Sequence, residues 1–300
     1  MTTFGVLIMG PAGAGKTTLA SALLTHLRTH RRGAFYINLD PAATTFDYEP
    51  DLDIQDLISL SDAMEELDLG PNGGLIACFE YLLENLSFLT DALSEVAEDQ
   101  LVVIDMPGQI ELYTHVPILP ALVRELTSGS VNMRICATYL LEATFVVDKA
   151  KFFAGTLSAM SAMLMLGVPH VNVLSKMDLV RGMMARREMR RFFTPDADIL
   201  DEDIETRIAF ADSDDEEAEE GVVGEVDSTK SKMSGGAFNA LNRAVARLIE
   251  DYGMVTYLRL NVRDEDSVGS VLAYIDDAIQ YHEAQEPTEP KEVDFDEEED

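Results

Sequence analysis

Apolar residues recur along the chain in short runs, separated by segments in which apolar positions are three or four residues apart. The runs lie at residues 4–9, 34–39, 101–105, 135–141, 170–174 and 255–260. Each run is typical of a buried strand, whereas Leu19, Leu23 and Leu27 after the first run have the spacing of one helix face. Near-continuous apolar strands that alternate with helices predict an α/β fold with a mainly parallel sheet covered on both faces.

One connection is too long to be a simple crossover. About sixty residues separate the second predicted strand from the third, whereas a crossover takes roughly a dozen to twenty. We therefore predict a helical insertion at about residues 43–97. The pattern within it favours short helices at 51–60 and 61–69 and a longer helix over 74–93 that begins at a Gly-Pro-Asn-Gly-Gly stretch.

Composition places one main domain at residues 1–282 and sets two acidic segments apart from it. The 300 residues are 47% hydrophobic and carry a net charge of −33, enough apolar content for one sizeable core. Residues 196–227 hold 15 acids against one base, and residues 283–300 hold 10 against one. We expect a disordered acidic insertion at about 196–230 and a disordered acidic tail. They are either docking segments for a basic partner or solubilising segments, and their charge disfavours binding to nucleic acid or anionic membranes.

Cysteine usage fits a reducing compartment, and the N-terminus does not have the pattern of a secretory signal. Cys78 and Cys136 lie far apart and form no CxxC pair, which argues against a disulfide scaffold or a cysteine metal site. The N-terminus lacks the basic region of a secretory signal. Residues 152–174 contain no charged residue, but Gly167 and Pro169 divide them into a buried helix and a buried strand.

A phosphate-binding loop follows the first predicted strand. The stretch GPAGAGKTT, residues 10–18, satisfies G-x-x-x-x-G-K-[ST] between a strand and a helix. Its backbone N–H groups and the helix N-terminus favour phosphate oxygens, with Lys16 at the β- and γ-phosphates and Thr17 on Mg²⁺. We predict a P-loop NTPase three-layer sandwich whose nucleotide phosphates contact Gly13, Ala14, Gly15, Lys16, Thr17 and Thr18.

Two acids follow strands that should end at the same sheet edge as this loop. DMPGQ, residues 105–109, ends the third predicted strand, so Asp105 can hold Mg²⁺ and Gly108 can donate its N–H to the γ-phosphate. Gln109 is placed to orient the attacking water. Asp40 ends the second strand in NLDPAA, where it either supports Mg²⁺ and water or merely begins an Asp-Pro turn.

A guanine-reading motif follows the fifth predicted strand. SKMD, residues 175–178, is similar to the Asn/Thr-Lys-x-Asp motif of GTPases, with Ser175 in the first place. The carboxylate of Asp178 can accept from the two adjacent donors of guanine, which adenine does not offer. Lys176 would pack against the base plane, and Met177 completes the loop. We expect Ser175 to brace the loop less well than Asn while leaving the choice of base unchanged.

Five stretches in this order resemble the GPN-loop GTPases. They are GPAGAGKTT, NLDPA, GPNGG, DMPGQIELYTH and SKMD, and the resemblance covers about residues 4–281. It implies GTP and GDP as ligands, Mg²⁺ as cofactor, Asp40, Asn72, Asp105 and Gln109 as catalytic residues, and Thr17, Asp40 and Asp105 as the metal site.

The resemblance also implies a dimer. Gly70, Pro71 and Asn72 match the signature loop, whose Asn enters the partner's nucleotide site; by the residues alone, Asn72 is more simply a helix N-cap. The implied partner is the first paralogue of the family, as a heterodimer, or a second copy of this chain. The implied role is assembly and nuclear import of RNA polymerase II, by contact with its subunits or assembly factors, in a cytoplasmic protein that shuttles to the nucleus.

Two other classes of function share the phosphate loop. One is an ATP-dependent enzyme, either a small-molecule kinase, which SKMD disfavours, or a metal-cluster scaffold ATPase, which the lack of paired cysteines disfavours. The other is a nucleotide-holding binding module with negligible turnover, against which the complete set of Lys16, Thr17, Asp105 and Gln109 argues.

Overall fold

The structure is a computed structural model that describes residues 2–97, 99–129, 131–183, 186–195, 199, 241–253 and 255–285. The predictions for the acidic insertion and tail lie outside the described residues, with two exceptions. Ile199 is helical and buried, and a short helix extends to Gln285. The first three residues of the predicted disordered tail are therefore helical.

Seven parallel strands form one sheet in the order β3-β2-β4-β1-β5-β6-β7. All six predicted strands are present, and β3 is an addition within the insertion. The parallel sheet with helices around it confirms the predicted α/β fold class. The strands are β1 Phe4–Met9, β2 Ala34–Asn38, β3 Leu52–Asp53, β4 Leu101–Asp105, β5 Arg134–Glu142, β6 His170–Ser175 and β7 Tyr257–Arg259.

Helices cover both faces of the sheet. They are α1 Lys16–Thr29, α2 Leu60–Leu67, α3 Pro71–Glu84, α4 Ser87–Ser94, α5 Glu111–Thr114, α6 Ile118–Ser128, α7 Lys149–Leu166, α8 Arg186–Arg191, α9 at residues 241–252, α10 Glu265–Ala278 and α11 Tyr281–Gln285.

Alternation along β1 shows how the three layers pack. Val6 and Ile8 belong to the core that α1 and α10 cover, whereas Leu7 and Met9 belong to the core formed with α3 and α6. Successive side chains of a strand point to opposite faces, so a continuous apolar run supplies both cores. The arrangement leaves the carboxyl ends of the central strands as the edge where a ligand can bind.

The insertion differs from the prediction at its start. Residues 51–60 do not form a helix; Leu52 pairs with Ile37 of β2, and a short 3₁₀ turn, Ile54–Asp56, follows. The Asp53 carboxylate accepts hydrogen bonds from Gln55 N and Asn38 Nδ2. This stretch satisfies its polar groups at the sheet edge rather than in a helix. The predicted helix at 61–69 is confirmed as α2.

The longer predicted helix of the insertion is broken in two. α3 begins at Pro71 and ends at Glu84, and α4 begins at Ser87. Asn85 ends α3 because its Nδ2 donates to the Tyr81 carbonyl at 2.8 Å, a side-chain bond that competes with continued helix.

The uncharged segment at 152–174 is divided as predicted. α7 ends at Leu166 and is followed by Gly167, which has a positive φ of 64°, and β6 begins at His170. Among the residues that the structure describes, no helix is long and apolar enough to cross a membrane.

Candidate functional site

The phosphate-binding loop connects β1 to α1 as its sequence predicts. Gly15 has a φ of 91°, a conformation that L side chains rarely adopt, and it immediately precedes α1. No side chain caps this helix start, and its first turn contains no acid. The N–H groups of the loop and of the first turn are therefore available to an anion.

Lys16, Asp40 and Asp105 form the charged centre of the site. Lys16 and Asp105 are 8% and 2% exposed, respectively. Burial lowers the pKa of Lys16, while the nearby carboxylates of Asp105 and Asp40 oppose that shift. Burial raises the pKa of Asp105 to about 6, against the hydrogen bond from Thr17 and the charge of Lys16. The structure thus brings together three residues that the sequence places far apart.

Hydrogen bonds to neighbouring residues position Asp40, and the NLDPAA stretch did not predict these bonds. Burial raises its pKa, partly offset by the N–H of Ala42, which donates to Asp40 Oδ1 at 3.0 Å. Buried Asn38 receives the backbone N–H of Asp40 at 3.0 Å and donates to Asp53 at 2.8 Å. Asp40 does take part in a turn, as the alternative interpretation holds, but the turn keeps its carboxyl group in reach of Lys16. Asn38 and Asp53 are positioning residues that the sequence patterns missed.

The donor set at this edge fits Mg²⁺. The Thr17 hydroxyl donates to Asp105 Oδ2 at 2.6 Å, whereas Asp105 Oδ1 is buried and has no hydrogen-bond partner among the described residues. Asp40 supplies a second carboxylate beside Lys16. Hydroxyl and carboxylate oxygens are the hard ligands that Mg²⁺ prefers, so Thr17, Asp40 and Asp105 are suited to hold it.

The DMPGQ turn packs against the phosphate loop. A Cβ added at Gly108 would lie 2.8 Å from Ala12 Cα, so only glycine permits this approach of the two backbones. Gln109 follows at a half-buried position. The turn therefore places Gly108, the predicted γ-phosphate donor, beside the phosphate loop, and Gln109 is the next residue along the chain.

Ser175 braces the base-binding loop to the phosphate loop. Its hydroxyl donates to the Ala14 carbonyl at 2.6 Å, and both residues are buried. The expectation that Ser would brace the loop less well than Asn did not anticipate this bond. The bond forms because β6 ends at Ser175, which brings its hydroxyl onto the phosphate loop.

The other residues of SKMD line the outer end of the same edge. Lys176 pairs with Glu142 through Nζ and Oε2 at 3.2 Å, and Asp178 lies half-buried. A pocket of about 440 Å³ lies against Met177 and Asp178 and reaches Asn261.

The loop that follows β7 was not identified from the sequence. Met177 N donates to the Leu260 carbonyl at 3.1 Å, so this loop, including Asn261, borders the predicted base site. It carries no local motif, and only the order of strands in the sheet places it there.

Asn72 lies in the first turn of α3, within the insertion. Gly70 occupies the N-cap of α3 and Pro71 its first turn, so the interpretation of Asn72 as the N-cap is wrong. Its side chain is exposed and makes no hydrogen bond with the described part of the chain. Gly70 and Pro71 hold it at the beginning of α3, available to a neighbouring molecule.

Comparison with known proteins gives consistent matches over nearly the whole chain. A protein-family model described as a conserved hypothetical ATP binding protein matches residues 8–281. GPN-loop GTPase 3 of Gibberella zeae is 61% identical over 97% of this chain and 96% of its own. GPN-loop GTPase 3 of Saccharomyces cerevisiae is 47% identical over 97% of each chain.

A solved structure shows the same fold. A GTPase from Pyrococcus abyssi in its apo form has a TM-score of 0.60 and covers 92% of this chain and 97% of its own, at 18% identity.

The family description mentions ATP, whereas the sequence relatives are named GTPases. The base-site chemistry favours the second name, because Asp178 is a carboxylate suited to the paired donors of guanine. Identity of 46% or more over nearly full length is also a finer match than a family model. The phosphate loop, the DMPGQ turn, the GPN stretch and SKMD, with these relatives, show that the chain belongs to the GPN-loop GTPase family.

Proposed function

We propose that this chain binds GTP along the carboxyl edge of its sheet and hydrolyses it to GDP and phosphate. The bond from Ser175 to the Ala14 carbonyl supports this most directly. It couples the loop that carries Asp178 to the loop that carries Lys16, so one nucleotide can reach both. GDP would keep the contacts to the base and to the β-phosphate, and would lack those to the γ-phosphate.

Each group of site residues has a separate role in phosphoryl transfer. The loop N–H groups and Lys16 neutralise the charge that develops on the transferring phosphate. Bound Mg²⁺, held by Thr17, Asp40 and Asp105, would add positive charge at the β- and γ-phosphates. Gln109 orients the attacking water together with Asp40 or Asp105.

A dimer completes this proposed site. Asn72 is exposed and uncommitted, and apolar Leu67 and Leu69 nearby are 56% and 38% exposed, which fits a surface that a partner covers. We assign the partner as the first GPN-loop paralogue, with a homodimer as the other form. Asn72 of one subunit would then stabilise the phosphate that is transferred in the other.

The cellular role follows from the family resemblance. We assign the chain to assembly and nuclear import of RNA polymerase II, from the cytoplasm, through contact with polymerase subunits or assembly factors. The net charge of −33 is compatible with holding basic clients.

Phosphate release tests the enzymatic proposal. Purified full-length chain, alone and mixed with the first paralogue, is given GTP or ATP with Mg²⁺. We expect release from GTP, faster in the mixture, and loss of this chain's share on Lys16→Ala. Nucleotide binding without release from either preparation would leave a nucleotide-holding module, and preference for ATP would contradict the guanine assignment.

Substitution of Asn72 tests the role across the dimer. Asn72→Ala should lower kcat about tenfold or more with little change in nucleotide affinity, because the contact forms in the transition state. Asp91→Ala, at an exposed position of α4 in the same insertion, is the control and should retain full activity. Equal losses of affinity and of kcat for Asn72→Ala would contradict a transition-state contact.

A further inference from the structure

Two histidines and a glutamate meet on the face of the molecule where α1 contacts α10. His26 lies in the last turns of α1 and His30, four residues later, is its C-cap, so the two side chains project from the same side. Glu265 is the first residue of α10. One ligand atom from each of these three side chains lies within 4.8 Å of the others. None of them belongs to the proposed nucleotide site.

His26 is the anchored member of this cluster. Its side chain is only 14% exposed, and its Nδ1 lies 3.9 Å from Glu265 Oε1. That nitrogen is buried and has no hydrogen-bond partner among the described residues. A buried polar atom without a partner is unfavourable, and a bound cation would satisfy it.

His30 is oriented as metal-binding histidines commonly are. Its Nδ1 lies 2.9 Å from the His26 carbonyl oxygen, which favours the tautomer that donates from Nδ1. The lone pair of Nε2 is then free for a metal. A hydrogen bond from the second ring nitrogen to a backbone carbonyl holds many ligating imidazoles in place.

The cluster opens onto a pocket that an ion can enter. The pocket has a volume of about 520 Å³ and is lined by His26, His30, Glu265, Asp266, Gly269, Ser270 and Ala273. Gly269 leaves the space that the His26 ring occupies, because a Cβ there would lie 3.0 Å from His26 Cε1. Asp266 adds a second carboxylate at the rim.

We propose that His26, His30 and Glu265 form a binding site for a divalent transition metal of the Zn²⁺ class. Two imidazoles with one carboxylate suit Zn²⁺, Ni²⁺ or Cu²⁺ better than Mg²⁺ or Ca²⁺, and three protein ligands leave one position for water or Asp266. His30 and Glu265 are exposed, so their side chains are free to close around an ion.

The ion would connect two elements that border the nucleotide site. α1 begins at Lys16 of the phosphate loop, and α10 follows the loop that lies against Met177. A metal at this position would clamp the outer end of α1 to the start of α10, and would stabilise the fold by binding only the native state.

Zn²⁺ titration of the full-length chain, first stripped of transition metals, tests this site. Isothermal titration calorimetry is run in excess Mg²⁺, which occupies sites built only of oxygen ligands. We expect one tight equivalent of Zn²⁺, with affinity lowered at least tenfold by His30→Ala and by Glu265→Gln. His282→Ala, at another exposed histidine, is the matched control and should bind as the wild type does. Wild-type affinity in both cluster variants, or no tight equivalent in the wild type, would overturn the proposal.

Thermal unfolding gives a second measure on the same proteins. Zn²⁺ should raise the Tm of the wild type and of His282→Ala, and should leave the Tm of the His30→Ala, Glu265→Gln double variant unchanged. Both substituted side chains are exposed, so circular dichroism without metal should be the same for all proteins. An equal rise of Tm in the double variant would place Zn²⁺ elsewhere and refute the assignment.

Discussion

The buried carboxylate of the single residue Asp105 destabilises the folded chain. Burial raises its pKa to about 6, above the value of about 3.9 for an unperturbed Asp. Between about pH 4 and about pH 6, the folded state therefore keeps a proton on Asp105 that the unfolded state has already released. Over that interval the contribution of Asp105 to stability falls as pH rises, by about 3 kcal/mol at about 1.4 kcal/mol per pKa unit.

Asp105→Asn should accordingly stabilise the metal-free chain while it inactivates the site. At pH 7.5 we expect the free energy of unfolding to rise by up to about 3 kcal/mol, with the difference vanishing near pH 4. GTP hydrolysis should fall at least a hundredfold, because the carboxylate is lost. Urea unfolding at several pH values measures the first effect, and an unchanged pH dependence would contradict the burial argument.

α2 and α3 of the insertion pack closely against each other at a glycine of α3. A Cβ at Gly74 would meet Met64 Cγ at 2.7 Å and Leu60 Cδ1 at 3.1 Å, whereas a Cβ at Gly73 would meet only Leu69, at 3.4 Å. Both glycines lie in the first turns of α3. The insertion therefore tolerates a side chain at one of two adjacent glycines.

Alanine at these two positions should have opposite effects. Gly73→Ala should stabilise the chain by about 0.5 to 1 kcal/mol through helix propensity. Gly74→Ala should lose that gain and destabilise, because α2 must shift to accept the methyl group. Thermal unfolding of the matched pair measures both, and equal stabilisation would show that the two helices are not closely packed.

Elements with a strong local pattern could be predicted from the sequence. Elements that form only through contact with a distant part of the same chain could not. The strand at 101–105 and the phosphate loop follow from apolar runs and motif spacing. The strand at Leu52–Asp53 was missed because its sheet partner is Ile37 of β2. The Ser175 bond to Ala14 joins residues 161 apart. Such contacts depend on strand order, which no local pattern encodes.

A buried ion pair joins the segment after α1 to α10, two parts of the chain that are far apart in sequence. Arg32 Nη1 contacts Asp276 Oδ2 of α10 at 2.7 Å, with side chains only 15% and 8% exposed. The Arg32 guanidinium carbon also lies 3.7 Å from the ring centroid of Tyr281. The segment after α1 is thereby attached to α10 and α11.

Removing one charge of this pair should destabilise the whole domain. Asp276→Asn leaves the buried guanidinium of Arg32 unpaired, which typically costs about 3 to 5 kcal/mol. Asp277→Asn, at the adjacent exposed position, should change stability by less than about 0.5 kcal/mol. Urea unfolding of the two variants tests this, and similar small effects would show that the ion pair does not hold α10.

The proposed function requires that one bound nucleotide contact both Lys16 and Asp178. Asp178→Asn exchanges an acceptor for a donor at the base, so it should reject guanine and accept xanthine. Asp251→Asn, at an exposed aspartate of α9, is the control. The decisive measurement is phosphate release from GTP and from xanthosine triphosphate by the full-length chain mixed with the first paralogue, after subtraction of the release by the first paralogue alone. We predict that Asp178→Asn lowers kcat/KM for GTP at least a hundredfold and raises it for xanthosine triphosphate, while Asp251→Asn behaves as the wild type. Unchanged GTP use by Asp178→Asn would contradict the guanine site and, with it, the proposed function.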